Sequence, residues 1–239
     1  ELEAQELDQT TDVDAMLAAI SPRTRLIFLA NPNNPTGTLI PVSELVRLLE
    51  GVPAQVVVVL DLAYGEFAGE AYCAAVHDLV EGRDNVIVSR TFSKAYGLAG
   101  TRLGWIHAPE WMMPGFYATR GIGSINRVAQ ETALAALQDH DVIMAQVDEV
   151  VSERTRVASV LAQNGMTSCK SATNFLMTTI DGQGPEVTEA LVEYLFDEAG
   201  IIVNRTREAG LEAYLRFSLG TPEQNNLLLD TIQRFLRQG

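Results

Sequence analysis

The chain has 239 residues, 47% of them hydrophobic and 20% charged, enough apolar material for one large core or for one domain and a smaller companion. Asp and Glu number 31 against 17 Lys and Arg, a formal net charge of -14. That balance speaks against nucleic acid or an anionic membrane surface, which call for basic patches, but leaves room for a small anionic ligand held by a few local cations. No apolar run approaches the ~18–20 residues of a membrane span.

The chain opens on Glu1 in a polar, acidic stretch reaching Asp14 that reads as the middle of a longer polypeptide, with no signal peptide visible. Arg25–Leu29, Val56–Leu60 and Asn85–Ser89 are short, continuous apolar runs bounded by Pro, Asn or Asp, the pattern of parallel strands covered on both faces. Between the first two, Ser43–Leu49 has helical spacing, with Ser43 placed to cap it. Strand, helix, strand, connecting segment, strand implies a doubly wound α/β sheet, to which Arg102–Ile106 adds a strand of either direction. Val128–Leu137 and Asp141–Leu161 follow as helices, the second with a charged outer face. Beyond Gly165 come a strand (Asn174–Ile180), a helix (Glu186–Glu198), strands at Ile201–Asn204 and Tyr214–Leu219, and a terminal helix (Pro222–Arg237). The fold class is therefore α/β, a large domain with a mostly parallel sheet over residues 1–163 and a small α+β domain over 164–239. Cys73 and Cys169 fit no metal spacing and read as reduced thiols of a cytoplasmic protein.

In such sheets functional groups gather at the C-terminal strand ends, and here each of three successive strands ends on a polar cluster. These are Asn31-Pro32-Asn33-Asn34-Pro35-Thr36-Gly37, Asp61-Leu62-Ala63-Tyr64 and Arg90-Thr91-Phe92-Ser93-Lys94. Only two lysines occur, Lys94 and Lys170, so Lys94 in an otherwise uncharged stretch is not background. A buried amine with a lowered pKa condenses with an aldehyde at neutral pH; the plain alternative is a surface loop lysine. Asp61, after five apolar residues, is either a turn residue or the partner of a buried cation in a low-dielectric crevice. Tyr64 and Asn34 are able to hydrogen-bond a phenolate oxygen, and Thr91, Ser93 and Arg102 supply two hydroxyls and a guanidinium for a phosphate. Arg216, inside the apolar strand Tyr214–Ser218, is placed to pair with a carboxylate, of protein or of ligand.

At these positions the chain resembles the fold-type I aminotransferases that depend on pyridoxal 5'-phosphate (PLP), and within them the histidinol-phosphate aminotransferases of class I/II. The resemblance rests on Ala30–Thr38, Asp61–Tyr64, Thr91–Gly104 and Tyr214–Glu223 and extends over essentially the whole chain. It implies Lys94 as the Schiff-base lysine and acid/base, Asp61 as partner of the pyridinium nitrogen, and Asn34 and Tyr64 as contacts of the ring oxygen O3′. It also implies Thr91, Ser93 and Arg102 as phosphate ligands, Arg216 as clamp on the substrate carboxylate, and amino-acid and 2-oxo-acid substrates in a homodimeric enzyme. Three departures accompany it. The family begins well upstream of Glu1, with an arm, a glycine-rich phosphate turn and a ring-stacking aromatic. Where an arginine usually holds the substrate phosphate stands Asn204, with Arg205 next, a shift able to reverse the side chain's face. Met112–Ser124, ending Gly121-Ile122-Gly123-Ser124, differs from the family's substrate-region segment. The alternatives are a PLP decarboxylase of a phosphorylated amino acid, a general or aromatic amino-acid aminotransferase, and a PLP-sensing regulatory domain.

Overall fold

The computed structural model describes residues 9–121 and 123–238, so the first eight residues of the acidic opening stretch, and Ile122, lie outside the described residues. Two compact units result: the described chain up to Asn33 with Leu39–Val147, and Asn34–Thr38 with the chain from Asp148 onward. The units part inside a helix, at Val147/Asp148, whereas the boundary expected from the sequence lies near 163, and the second unit takes in five residues from far upstream.

The first unit begins with a short helix, α1 (Val13–Ala18), capped by Asp12, whose Oδ1 accepts from the Ala15 amide at 3.0 Å. Strand β1 (Leu26–Ala30), helix α2 (Val42–Gly51), strand β2 (Val57–Asp61), helix α3 (Glu70–Glu81), strand β3 (Val86–Thr91) and strand β4 (Gly104–His107) follow. The sheet order is β1-β2-β3-β4, the first three strands parallel and β4 antiparallel. Strand alternation sends Leu29, Val58, Leu60, Val86 and Val88 to one face. There they form a core with Met16 of α1, Leu45 and Leu48 of α2 and Val76 and Val80 of α3. Burying one such side chain contributes about 1.5–3 kcal/mol. On the other face Leu26 and Phe28 of β1 stay exposed, at 54% and 73%.

Two sequence expectations change here. The helix α2 starts a turn-fraction earlier than Ser43, with Pro41 at its N-cap and no side-chain cap bond, because Pro41 already presets the entering backbone. Arg102 is not in a strand: it takes the left-handed conformation (φ 55°), and pairing begins only at Gly104. After β4 come α4 (Met113–Thr119), α5 (Arg127–Gln138) and the long α6 (His140–Gln163).

The second unit has an antiparallel sheet of order β5-β6-β8-β7, from β5 (Met166–Ser168), β6 (Phe175–Ile180), β7 (Asn204–Arg205) and β8 (Tyr214–Ser218). Helices α7 (Pro185–Ala199) and α8 (Pro222–Leu236) pack with the end of α6 around Leu161, Leu176, Leu191, Leu195, Leu215 and Ile232. The helix α8 opens with a reciprocal capping box between Thr221 and Gln224. The strand expected over Ile201–Asn204 is displaced to Asn204–Arg205. Gly200 ends α7 in the left-handed conformation and the Ile201 amide still donates to Leu195 O at 3.0 Å, so the first residues after the helix belong to its cap. Both cysteines are free and buried, and among the described residues no helix is long and apolar enough to cross a membrane.

Candidate active site

Asp61 is the last residue of β2 and lies opposite Ser89 in the parallel register. Its Oδ1 accepts from the Ser89 hydroxyl at 3.0 Å and from the Ala63 amide at 3.1 Å, which fixes the carboxylate at the strand end. No cation among the described residues pairs with it. Three residues on, the chain turns through the 3-10 helix Gly65–Ala68 and leaves the Tyr64 ring buried. Over that ring stands the amine of Lys94, its Nζ 5.1 Å from the ring centroid. An ammonium over an aromatic face is attracted by the ring quadrupole.

Lys94 and Asp61 are exposed, which corrects the expectation of a buried amine and a carboxylate in a low-dielectric crevice. Asp61 closes β2 and Lys94 lies in the loop after β3, and a position at or past a strand end does not by itself bury a side chain. The loop bearing Lys94 is nevertheless tied down. The Ser93 amide donates to Thr91 Oγ1 at 3.0 Å, the Gly97 amide to Lys94 O at 3.0 Å, and the Leu98 amide to Phe92 O at 2.9 Å. Arg102 is exposed and gives one guanidinium nitrogen to Ala99 O at 2.9 Å. Gly104 faces Thr91, and a Cβ there would stand 2.6 Å from Arg90 O, so the close approach of β4 to β3 needs a glycine.

Beneath these residues, on the opposite side of β3, lies a buried polar cluster. Arg90 pairs with Glu66 at 2.6 Å, their side chains 12% and 6% exposed. Burial opposes the charge of Arg90, and the facing carboxylate more than restores it. The other end of the guanidinium donates to His77 Nε2 at 3.2 Å, and His77 stacks on Trp105 with ring centroids 5.2 Å apart. A guanidinium only donates, so a neutral His77 carries its proton on Nδ1 and offers it to His107 Nδ1, 3.2 Å away. That leaves the proton of His107 on Nε2, facing Glu81 Oε1 at 3.4 Å.

The second unit holds the remaining predicted residues. Arg216, half-buried on β8, donates to the side-chain oxygen of Asn34, and its guanidinium carbon lies 4.9 Å from the centroid of the Phe175 ring. No carboxylate among the described residues pairs with it. Gly37 (φ +78°) lets the Asn34–Thr38 segment pass close to Ser171, and its carbonyl accepts from the Ala172 amide at 2.7 Å. Arg205 is elsewhere. The β7–β8 register sets Asn204 opposite Arg216 and Arg205 opposite Leu215, so Arg205 projects to the other face of the sheet. There it pairs with Glu189 of α7.

The structure thus brings Asp61, Tyr64, Thr91, Ser93 and Lys94 together in one unit and Asn34 with Arg216 in the other, and it separates Arg205 from Arg216. Sequence reading missed Ser89, Phe175 and the Glu66–Arg90 pair. Ser89, a polar residue closing an apolar strand, was the one with a visible signal.

The profile of the aminotransferase class I and II family matches residues 3–232. The chain belongs to the class I and II aminotransferases. Among curated relatives it is 38% identical to the histidinol-phosphate aminotransferase of Granulibacter bethesdensis over 96% of the chain and 61% of that protein. It is 41% identical to the aromatic amino acid aminotransferase of Rhodococcus erythropolis over 91% of the chain and 58% of that protein. The crystal structure of the Sinorhizobium meliloti histidinol-phosphate aminotransferase in complex with pyridoxal-5'-phosphate superposes with a TM-score of 0.87 at 31% identity, covering 95% of this chain and 62% of that one. The chain therefore spans about three-fifths of the length of these relatives.

Proposed function

We propose that the protein transfers an amino group between an amine donor of the histidinol-phosphate kind and a 2-oxo acid, with PLP attached at Lys94. The observation that carries this reading is the amine of Lys94 held over the Tyr64 ring, in the same unit as an Asp61 carboxylate oriented by Ser89 and the Ala63 amide. When bound, PLP supplies an aldehyde for an amine and a ring that withdraws electrons from the reacting carbon.

The chain's own residues fit that group. Lys94 carries the reactive amine and moves the proton at the substrate carbon. Asp61 presents a carboxylate with no cation of its own among the described residues, suited to a protonated ring nitrogen. Tyr64 would donate to the ring oxygen; in the other unit Asn34, its oxygen taken by Arg216, keeps its amide nitrogen as a donor. Thr91, Ser93 and Arg102 would hold the phosphate, and Arg216 would grip the substrate carboxylate. Likeness to the Granulibacter and Sinorhizobium proteins supports the phosphorylated donor.

A second reading has its own observation. Arg205 is engaged by Glu189 on the face away from Arg216, and the Rhodococcus relative is an aromatic amino acid aminotransferase. A donor with a carboxylate and an aromatic side chain needs Arg216 alone. We further propose a homodimer, supported by the exposure of Tyr117 on α4 and of Leu134 and Leu137 on α5, apolar side chains that a second copy would cover. The deciding assay incubates the full protein and PLP with a 2-oxo acid and either histidinol phosphate or phenylalanine, and follows the amino acid formed. Turnover with neither donor overturns the reading.

A further inference from the structure

We infer that the buried Glu66–Arg90 pair is a positioning unit, which holds the Tyr64 and Lys94 segments against one another from the face of the sheet opposite the site. The inference rests on the reading of Lys94 as the cofactor-bearing residue. The connectivity is direct. Glu66 lies two residues after Tyr64, on the turn whose Phe67 amide donates to Tyr64 O at 3.1 Å. Arg90 immediately precedes Thr91, whose Oγ1 receives the Ser93 amide next to Lys94. Strand alternation turns Ser89 and Thr91 toward the site and Arg90 away from it, so the guanidinium pins the strand end without occupying the site. Glu66, His77 and Trp105 fix it there on three sides, at 2.6 Å, 3.2 Å and 5.6 Å to the ring centroid.

Stability alone does not account for such a pair. A buried ion pair is often matched or exceeded in stability by apolar residues of similar volume. This one also leaves Glu66 Oε2 and Arg90 Nε buried without a hydrogen-bond partner among the described residues, a cost that an apolar pair would not carry. What it provides, and apolar packing does not, is a directional link of fixed length between the turn after β2 and the end of β3.

The test compares the full wild-type protein with Glu66→Gln and with the double variant Glu66→Leu/Arg90→Met. The first readout needs no cofactor. Amines of the apoprotein are acylated at limiting reagent, and the labelling of Lys94 is compared with that of Lys170, the other lysine of the chain. Release of Lys94 from the Tyr64 ring should raise the Lys94-to-Lys170 ratio about 3-fold or more in both variants, since a cation–π contact of about 0.5–1 kcal/mol corresponds to a factor of this size. The second readout is the split of rate constants in the PLP-loaded proteins. We expect kcat to fall about 10- to 100-fold with KM within about 3-fold of wild type, the mark of misplacement rather than lost binding. Unchanged labelling and unchanged kcat in folded variants would overturn the inference, as would a kcat loss matched by the unfolded fraction. If the double variant fails to fold, the near-isosteric Glu66→Gln decides by the same two readouts. Borohydride reduction of the wild type keeps the two readings apart: a pyridoxyl group found elsewhere than Lys94 sinks the cofactor assignment, whereas the labelling ratio still judges the pair.

Discussion

The hydroxyl of Ser89 donates to Asp61 Oδ1 at 3.0 Å across the β2–β3 register, and the Ala63 amide reaches the same oxygen from the turn that follows. Two donors on one oxygen, a hydroxyl on β3 and a backbone amide in the turn after β2, set the direction of the carboxylate. Ser89→Ala should therefore weaken cofactor retention modestly, by the ~0.5–1.5 kcal/mol of one hydrogen bond, with Asp61 still in place. Titration of apoprotein with PLP by fluorescence would measure it, and a loss as large as that of Asp61→Ala would show that Ser89 does more than orient.

Asp61→Asn keeps the shape and the Ser89 contact but removes the charge. Its effect on rate should exceed its effect on PLP affinity, because the carboxylate would keep the bound ring's nitrogen protonated, on which the electron-withdrawing chemistry of that ring would depend. Single-turnover kinetics beside equilibrium binding separate the two, and equal losses would assign Asp61 to binding alone.

His77 supplies a prediction in pH. Burial, then Arg90 and His107, hold its pKa below the ordinary value of 6.5, against a smaller opposing effect of Asp78. The unfolded chain thus takes up a proton near that value while the folded chain resists. The penalty is absent above it and grows as pH falls through 6.5 toward the folded pKa. Protonation would also set two donors, His77 Nε2–H and Arg90, face to face. Urea midpoints at about pH 7.5 and about pH 5.5 should fall further for wild type than for His77→Gln. Parallel losses would remove His77 from the acid response.

Substrate choice separates at two arginines. Arg216→Ala should cost about 5- to 150-fold in kcat/KM for any donor with a carboxylate, on the order of 1–3 kcal/mol for a half-buried cation. Arg205→Ala should be silent toward phenylalanine. A selective loss toward histidinol phosphate in Arg205→Ala would mean that Arg205 leaves Glu189 to meet a phosphate.

Gly37→Ala should destabilise the protein by about 1–3 kcal/mol, as overpacking does, since the new methyl would stand 2.6 Å from Ser171 Oγ at a φ of +78°. Thermal unfolding reads this directly, and an unchanged midpoint would mean that the Ser171 side chain yields freely.

Much of the candidate site was legible because chemistry at strand ends leaves short, dense words: Asp61-Leu62-Ala63-Tyr64 and Ser93-Lys94 stand out against the apolar runs they follow. The strands themselves were readable as continuous runs of Val, Ile and Leu. Helix α3 was not, because its inward positions are Cys73, Val76 and Val80, a thin stripe broken by Ala and His. The Glu66–Arg90 pair was invisible for a different reason: it exists only once β2 and β3 are in register and α3 is laid beneath them. The face taken by Arg205 hung on a strand of two residues, too short for any period to declare itself.

The Asn34–Thr38 segment bears on how the molecule is divided by experiment. It belongs with the second unit, where Gly37 accepts from the Ala172 amide and Asn34 receives Arg216, yet it is encoded between β1 and α2. A gene fragment starting at Asp148 would thus lack part of its own unit and leave Arg216 without its amide partner. Dissection of this protein at a single cut yields a piece with a gap in it, and the cut that looks natural on a linear map is not the one the fold respects.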